Sequence, residues 1–363
     1  MRRSHRRLSD LAVVVAAVVA VGCGDAEVVD PAPIGGPYPQ TLSAYGFFEG
    51  SMADLAPAPG VIPFEVAAPL WSDRAGKSRM LVLPEGQAIG LSSDGDWDVP
   101  VGTVLVKSFW FADDLGAPDG ARRIVETRLL VHEAQGWIGQ VYLWNDEQTE
   151  ALRAVAGRRV QVAYTVAGKR EEHEYAIPNT NQCLSCHSRD DVGKPLGLVT
   201  PQINRDVERD GATVNQLEWL GTKGVFREAV PDTKALPAFV DPFGDAPVDA
   251  RARSYLHANC SHCHRLGGNG GNSGLELLST EDDPHHYGVC KRTAAAGAGT
   301  GGKTYDIVPG DPDASIMPFR MGATDPEVKM PELPNRLPDD EGIALVREWI
   351  SQMTLPACDA PTP

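Results

Sequence analysis

Two copies of one five-residue pattern constrain this chain more than any other feature: Cys183-Leu184-Ser185-Cys186-His187 and Cys260-Ser261-His262-Cys263-His264. In C-x-x-C-H, two thiols add across the two vinyl groups of one haem. The histidine that follows places its imidazole under the iron as the proximal ligand. Rival readings need other settings. A zinc ribbon sets its C-x-x-C pairs about 15–20 residues apart, whereas 73 residues separate Cys186 from Cys260. A thioredoxin-like pair needs a strand before it and a helix opening after it, and neither pattern has that setting. The expected cofactors are therefore two haem c groups. Cys183, Cys186, Cys260 and Cys263 are the attachment points, and His187 and His264 are the proximal iron ligands.

Haem of this type is attached outside the cytoplasm, and the N-terminus reads as an export address. Met1-Arg-Arg-Ser-His-Arg-Arg precedes the apolar run Leu11 to Gly22. That run is too short to span a bilayer but fits the core of a signal peptide. Ala20-Val21-Gly22-Cys23 resembles a bacterial lipobox, so Cys23 is the expected acylation site and mature N-terminus. The alternative is an ordinary cleaved signal with an incidental cysteine. Residues 1–22 are thus assigned to the signal peptide and 23–39, rich in Pro and Gly, to a lipidated tether. The expected location is the periplasmic side of a bacterial membrane, as an outer-membrane lipoprotein, or the soluble periplasm if lipid is absent.

Composition limits the partners. Forty-nine acidic residues against 33 basic ones give a net charge of −16, which becomes −19 once residues 1–22 are removed. A body this acidic repels phosphate backbones, so no nucleic-acid partner is expected. With 42% hydrophobic and 23% charged residues, the chain suits a globular protein rather than a disordered or polytopic membrane one. Its 363 residues allow about two domains.

The chain from 247 to 358 reads as one domain. Pro247 to Asn259 is a helix candidate carrying Val248, Ala252, Tyr255 and Leu256 on one stripe, and it runs straight into the second pattern. Pro338-Asp-Asp-Glu341 opens another helix with acidic residues in its first turn. Ile343, Val346, Ile350 and Met353 then recur at helical spacing, with Leu345 and Trp349 alongside. Helix, haem pattern, long loop, methionine and terminal helix is the order of a small monohaem cytochrome c. The loop must supply the sixth ligand of this iron. Met330 is the expected one, because Pro331 holds the residue before it in an extended conformation. Met321 is the alternative, while Met317 is assigned to a short helix begun by Asp311 to Ser315. A His/Met pair raises the reduction potential over two histidines. Arg320 is a candidate partner for a buried haem propionate, or else a surface residue. In an oxidising compartment the two remaining cysteines, Cys290 and Cys358, are expected to pair. Gly297 to Thr304 matches the phosphate-loop spelling, but neither a buried strand before it nor a helix after it is expected. It reads as a surface loop, with no ATP as partner.

Residues 40–180 read as an antiparallel β domain, sandwich or barrel-like. Candidate strands are Thr103 to Phe111, Arg123 to His132, Trp137 to Trp144, and a hairpin from Val160 to Ile177 turned by Ala167-Gly168-Lys169. The segment 38–100 is expected to wrap it in loops and short strands. No helix is expected in front of Cys183, so the first haem is assigned to a region of its own, 181–246, between the two domains. Its sixth ligand is not legible. His173 shares a strand face with Tyr175 and Ile177; His257, His262, His132, Met52 and Met80 are weaker candidates, and His285-His286 reads as a loop pair. The expected fold class is α+β, a β domain followed by a mostly α-helical cytochrome c-like domain.

Several segments together resemble a family of bacterial dihaem c-type cytochromes, often lipoproteins, whose physiological reaction is unassigned. They are Tyr38 to Phe48, Pro69-Leu-Trp-Ser-Asp73, Trp144 to Thr149, and Ile177 through His187. Val308 to Ser315 and Lys329-Met-Pro331 also resemble cytochrome c modules appended to many bacterial proteins. The resemblance runs from about Tyr38 to Met353. It implies two haems and export, but no substrate. Two functional classes follow. One is an electron relay between periplasmic or membrane redox proteins. The other is a peroxidase-like haem enzyme whose open first haem is fed by the second.

Overall fold

Side chains alternate along six strands that pair in meander order: β1 (Val61–Pro63), β2 (Gly76–Val82), β3 (Val104–Ala112), β4 (Arg122–Glu133), β5 (Gly136–Trp144) and β6 (Ala151–Ala154). The structure, a computed structural model, describes residues 36–358 except 94, 190–191, 295–296 and 333–334. The expected signal peptide and tether up to residue 35, Cys23 included, therefore lie outside the described residues. One face of the sheet buries Val82, Val104, Val106, Leu129, Val131 and Tyr142 beneath Leu42, Tyr45, Phe47 and Leu55 of the N-terminal segment. Each such aliphatic side chain contributes about 1.5–3 kcal/mol on burial.

The opposite face carries two separate coverings. At one end Leu81, Leu130 and Trp137 pack under Ile203, Leu217 and Leu220. At the other, Phe109, Phe111, Val125 and Val141 pack under the hairpin of β7 (Arg158–Val166) and β8 (Lys169–Ile177), through Val162, Tyr164, Tyr175 and Ile177. A register shift at Phe109/Trp110 brings the extra residue Val125 to this side. The gap between the two coverings, over the middle of the sheet, becomes the floor of a cavity.

The expected antiparallel sheet is present, with strand ends within a residue or two of those read from the alternation for β3, β4 and β5. It does not close into a barrel. The strand order is linear from β1 to β6, and β1 has three residues and ends at Pro63, which has no N–H to donate. The second layer is a single hairpin rather than a full sheet.

Beyond β8 come α1 (Thr180–His187), α2 (Thr200–Ile203), α3 (Gln216–Thr222), α4 (Val248–Asn259), α5 (Ile316–Met321) and α6 (Asp340–Ser351). Among the described residues between 247 and 358, α4, α5 and α6, of 12, 6 and 12 residues, are the α-helices, so long loops rather than helices dominate this part. Asp339 caps α6 by accepting from Gly342 N. The helices α4 and α6 meet at Gly342, where a Cβ would lie 2.2 Å from Tyr255 Oη. Only glycine permits this approach. Tyr255 Oη donates to Asp339 at 2.9 Å, and Trp349 Nε1 donates to Asp249 at 2.8 Å. Leu345, Val346, Trp349 and Ile350 form the buried stripe of α6, so Leu345 and Trp349 belong to its centre rather than its flank. Cys290 and Cys358 form a disulfide with Cα atoms 5.1 Å apart. Met317 lies in α5, half-buried against the same core. Residues 297–300 make a 3-10 turn, with Gly299 against Arg320 and the following Gly301 against the Phe319 ring.

One short segment fastens the sheet to the C-terminal part. Trp71 N donates to Asn259 Oδ1 at 2.7 Å, and Trp71 Nε1 donates to Leu337 O at 2.9 Å. The Asp73 carboxylate accepts from Arg336 N and Leu337 N, each at 2.9 Å. Asp73 and Arg74 both hold positive φ, 50° and 69°. Non-glycine residues persist there only where surrounding contacts over-determine them.

Candidate haem site

The first pattern lies on a helix, α1, that begins three residues before Cys183. Asn179 accepts from Gln182 N while the Gln182 side chain accepts from Asn179 N, a reciprocal cap that starts the helix directly after β8. Thus the pattern has no separate helix in front of it, as expected, but it follows a strand and is itself helical. The sequence does not show this strand-then-helix setting; the histidine and the second copy, not this setting, separate the pattern from a thioredoxin-like pair. It rests on β5 at Gly139, where a Cβ would lie 2.9 Å from Cys183 Cβ. Cys183, Cys186 and His187 line a cavity together with Phe64, Val66, Leu105, Leu130 and Leu198. Its floor is the uncovered middle of the sheet, including Arg79, Lys107, Phe109 and Arg128.

The second pattern follows the C-terminus of α4, with Cys260 as its cap residue. Cys260, Cys263 and His264 line a second cavity with Trp71, Arg320, Met321, Met330 and Leu337. Trp71 comes from the sheet-side segment, so the fastening described above also forms part of this wall. Arg320 lines the cavity half-buried, its Nε donating to Val328 O at 2.8 Å. It is therefore not a plain surface residue. Met321 is packed in the core of this region, whereas Met330 is half-buried at the cavity wall and outside that core cluster.

The histidines of the two patterns, His187 and His264, share a polarity. His187 Nδ1 lies 3.0 Å from Lys194 O, and a carbonyl can only accept, so Nδ1 carries the proton. His264 Nδ1 lies 3.0 Å from Ser273 Oγ, whose own proton goes to Gly270 O at 2.6 Å. Ser273 therefore accepts. In both rings this leaves the Nε2 lone pair available, as a metal-binding imidazole requires. Burial pushes both imidazoles down to about 4, so both are neutral.

The cavities adjoin. Cys186 and His262 line both of them. The Cys186 and Cys263 thiols are in hydrogen-bonding contact, and His262 is in contact with Cys186 as well. Asn269 Nδ2 donates to Ser185 O at 2.6 Å, holding the two patterns together.

His173 packs between Phe111 and Tyr164, its Nδ1 3.2 Å from Tyr164 Oη, and lines neither cavity. His132 stacks on Trp137 at 4.5 Å. Met80 is in the core on the far face of the sheet, and Met52 packs against that core. His285 and His286 are exposed loop residues. His257 and His262 do reach the first cavity. However, Ser279 N donates to His257 Nδ1 at 3.1 Å, so in the neutral ring Nε2 carries the proton and has no free pair. His262 Nδ1 is buried with no partner.

Sequence reasoning missed the cationic floor, although Arg79, Lys107 and Arg128 stand in phase with Leu81, Leu105 and Leu130 on their strands. It also read Trp71 and Asp73 as wrapping only. Among the described residues no group of three or more His, Cys, Asp and Glu side chains is set to hold a bare metal ion. No described helix is long and apolar enough to cross a membrane. Comparison with family models, curated proteins and solved structures finds no match.

Proposed function

We propose that this chain is an exported dihaem c-type cytochrome that relays electrons between redox partners of the periplasm or membrane, with its lipid anchor at Cys23. What carries the reading is the pairing of two C-x-x-C-H patterns in adjoining cavities, each histidine holding its Nδ1 proton on an acceptor. The haems supply one-electron chemistry. Cys183, Cys186, Cys260 and Cys263 hold them, and His187 and His264 present Nε2 to the irons. Met330 is the proposed sixth ligand of the second iron, and the crossing of α4 and α6 supports a cytochrome c-like reading of residues 247–358. Contact between the Cys186 and Cys263 thiols favours a relay, since electron transfer needs close approach.

The enzyme reading is favoured by the lining of the first cavity. Among the described residues no methionine lines it, and His257 holds its proton on Nε2, which leaves His262 as the remaining ligand candidate there. The deciding experiment is the spectrum of the purified ferrous protein with and without carbon monoxide. Two haems per chain that resist acidified organic solvent and ignore carbon monoxide support the relay. Ready carbon monoxide binding at one haem supports the enzyme, and colourless protein overturns both. Met330→Ala is expected to abolish the weak band near the red end of the oxidised spectrum. Its survival would assign the ligand to Met321.

A further inference from the structure

Lys107 on β3 stands directly opposite Arg79 on β2 and Arg128 on β4. Three cations thus lie side by side across three neighbouring strands, and all three line the first cavity. Like charges opposite one another destabilise a sheet, and removal from bulk water adds to the cost. One carboxylate answers them. Glu126 accepts from Arg128 Nε at 2.8 Å and Nη2 at 2.5 Å, and from Tyr175 Oη at 2.8 Å. That carboxylate is fully engaged.

Lys107 Nζ sits over the Phe109 ring at 4.9 Å, and Glu65 acts on Arg79 only at a distance. Burial pulls Lys107 well below the lysine range and Arg79 down to about 10. Asp96 also lines this cavity, where it pairs with Lys194 at 3.2 Å, and no ion pair to Lys107 or Arg79 offsets their charge among the described residues.

We propose that Arg79, Lys107 and Arg128 are the seat of the two propionates of the first haem. This rests on a haem being attached at Cys183 and Cys186, and it adds the residues that orient the group and tune it. A dianion set against this row neutralises the excess charge and places cations beside the porphyrin. Ferric haem carries one more positive charge than ferrous, so neighbouring cations disfavour the oxidised form and raise the potential.

The test is a spectroelectrochemical titration of the full holoprotein and its Lys107→Gln, Arg79→Gln and Arg79→Lys variants. Arg128 is left intact because it holds Glu126. Each Gln variant is expected to shift the reduction equilibrium of the first haem about tenfold toward the oxidised form, 59 mV for one electron. The second haem should move far less, and Arg79→Lys should stay near wild type. Loss of the first haem in Arg79→Gln but not in Arg79→Lys supports the same assignment. Potentials unmoved in both Gln variants, or both haems moved equally, would overturn it while leaving two pigmented centres. Colourless protein would overturn the haem reading itself. Inorganic phosphate at millimolar concentration should leave the wild-type potentials unchanged; a shift would mean that the cations are open to free anions instead.

Discussion

Asp73→Ala is expected to cost about 3 kcal/mol of stability and to loosen the wall of the second cavity, whereas Asp73→Asn should cost about 1 kcal/mol or less. Alanine strips the acceptor from Arg336 N and Leu337 N, which both bond to this one carboxylate. Trp71, two residues before Asp73, depends on the same loop through its bond to Leu337 O, so its ring loses its anchor too. Asparagine keeps an acceptor oxygen and removes a buried charge. Burial raises the Asp73 carboxyl above its ordinary value, despite the two backbone donors that oppose the shift. The folded state therefore binds its proton more tightly than the unfolded chain. The stability this contributes is fully present below about pH 3.8 and is lost as pH rises through the raised folded value. Wild type should accordingly lose ground to Asp73→Asn as pH rises across that window. Urea midpoints of the three proteins from acid to neutral pH check this, and equal losses in Ala and Asn would refute the acceptor role.

Reducing the Cys290–Cys358 bond, or replacing both cysteines by serine, is expected to cost about 4 kcal/mol. The bridge spans a sequence separation of 68 residues, and the chain-entropy account gives that magnitude for a loop of this size. The loop it closes contains α5, Arg320, Met321 and Met330, all of them between the two cysteines. Release should therefore be felt at the second cavity, and at the haem proposed for it, before the sheet is affected. Denaturation followed separately by the red-end band and by tryptophan fluorescence, with and without reductant, would show it. A reductant that leaves both transitions in place would mean that the α4–α6 packing suffices alone.

Much of the site was legible because it is local. C-x-x-C-H needs only neighbouring residues, and both copies stand at the rims of cavities. The strands β3, β4 and β5 and the helices α4 and α6 were legible from periodicity, since each buries one face. What escaped is pairwise and distant. Asp73 meets residues 336 and 337 across more than two hundred and fifty positions, and no local pattern marks such a partner. The same holds for Arg79, Lys107 and Arg128. Each stands in phase with an apolar neighbour on its own strand, but only the register aligns the three side by side under a cavity.

The lone histidines show the limit most clearly. Strand phase correctly set His173 with Tyr175, yet phase does not tell a packed ring from a ligand; Phe111 and Tyr164 around it do. His257 and His262 looked weaker and lie nearer the first cavity. Amino-acid order alone determined which thiols and imidazoles stand together in the two patterns, because each pattern spans five consecutive residues. Tertiary structure alone decided that the two patterns touch and that a row of cations underlies one of them. Those contacts depend on strand register and chain crossing, which arise only when distant segments pack.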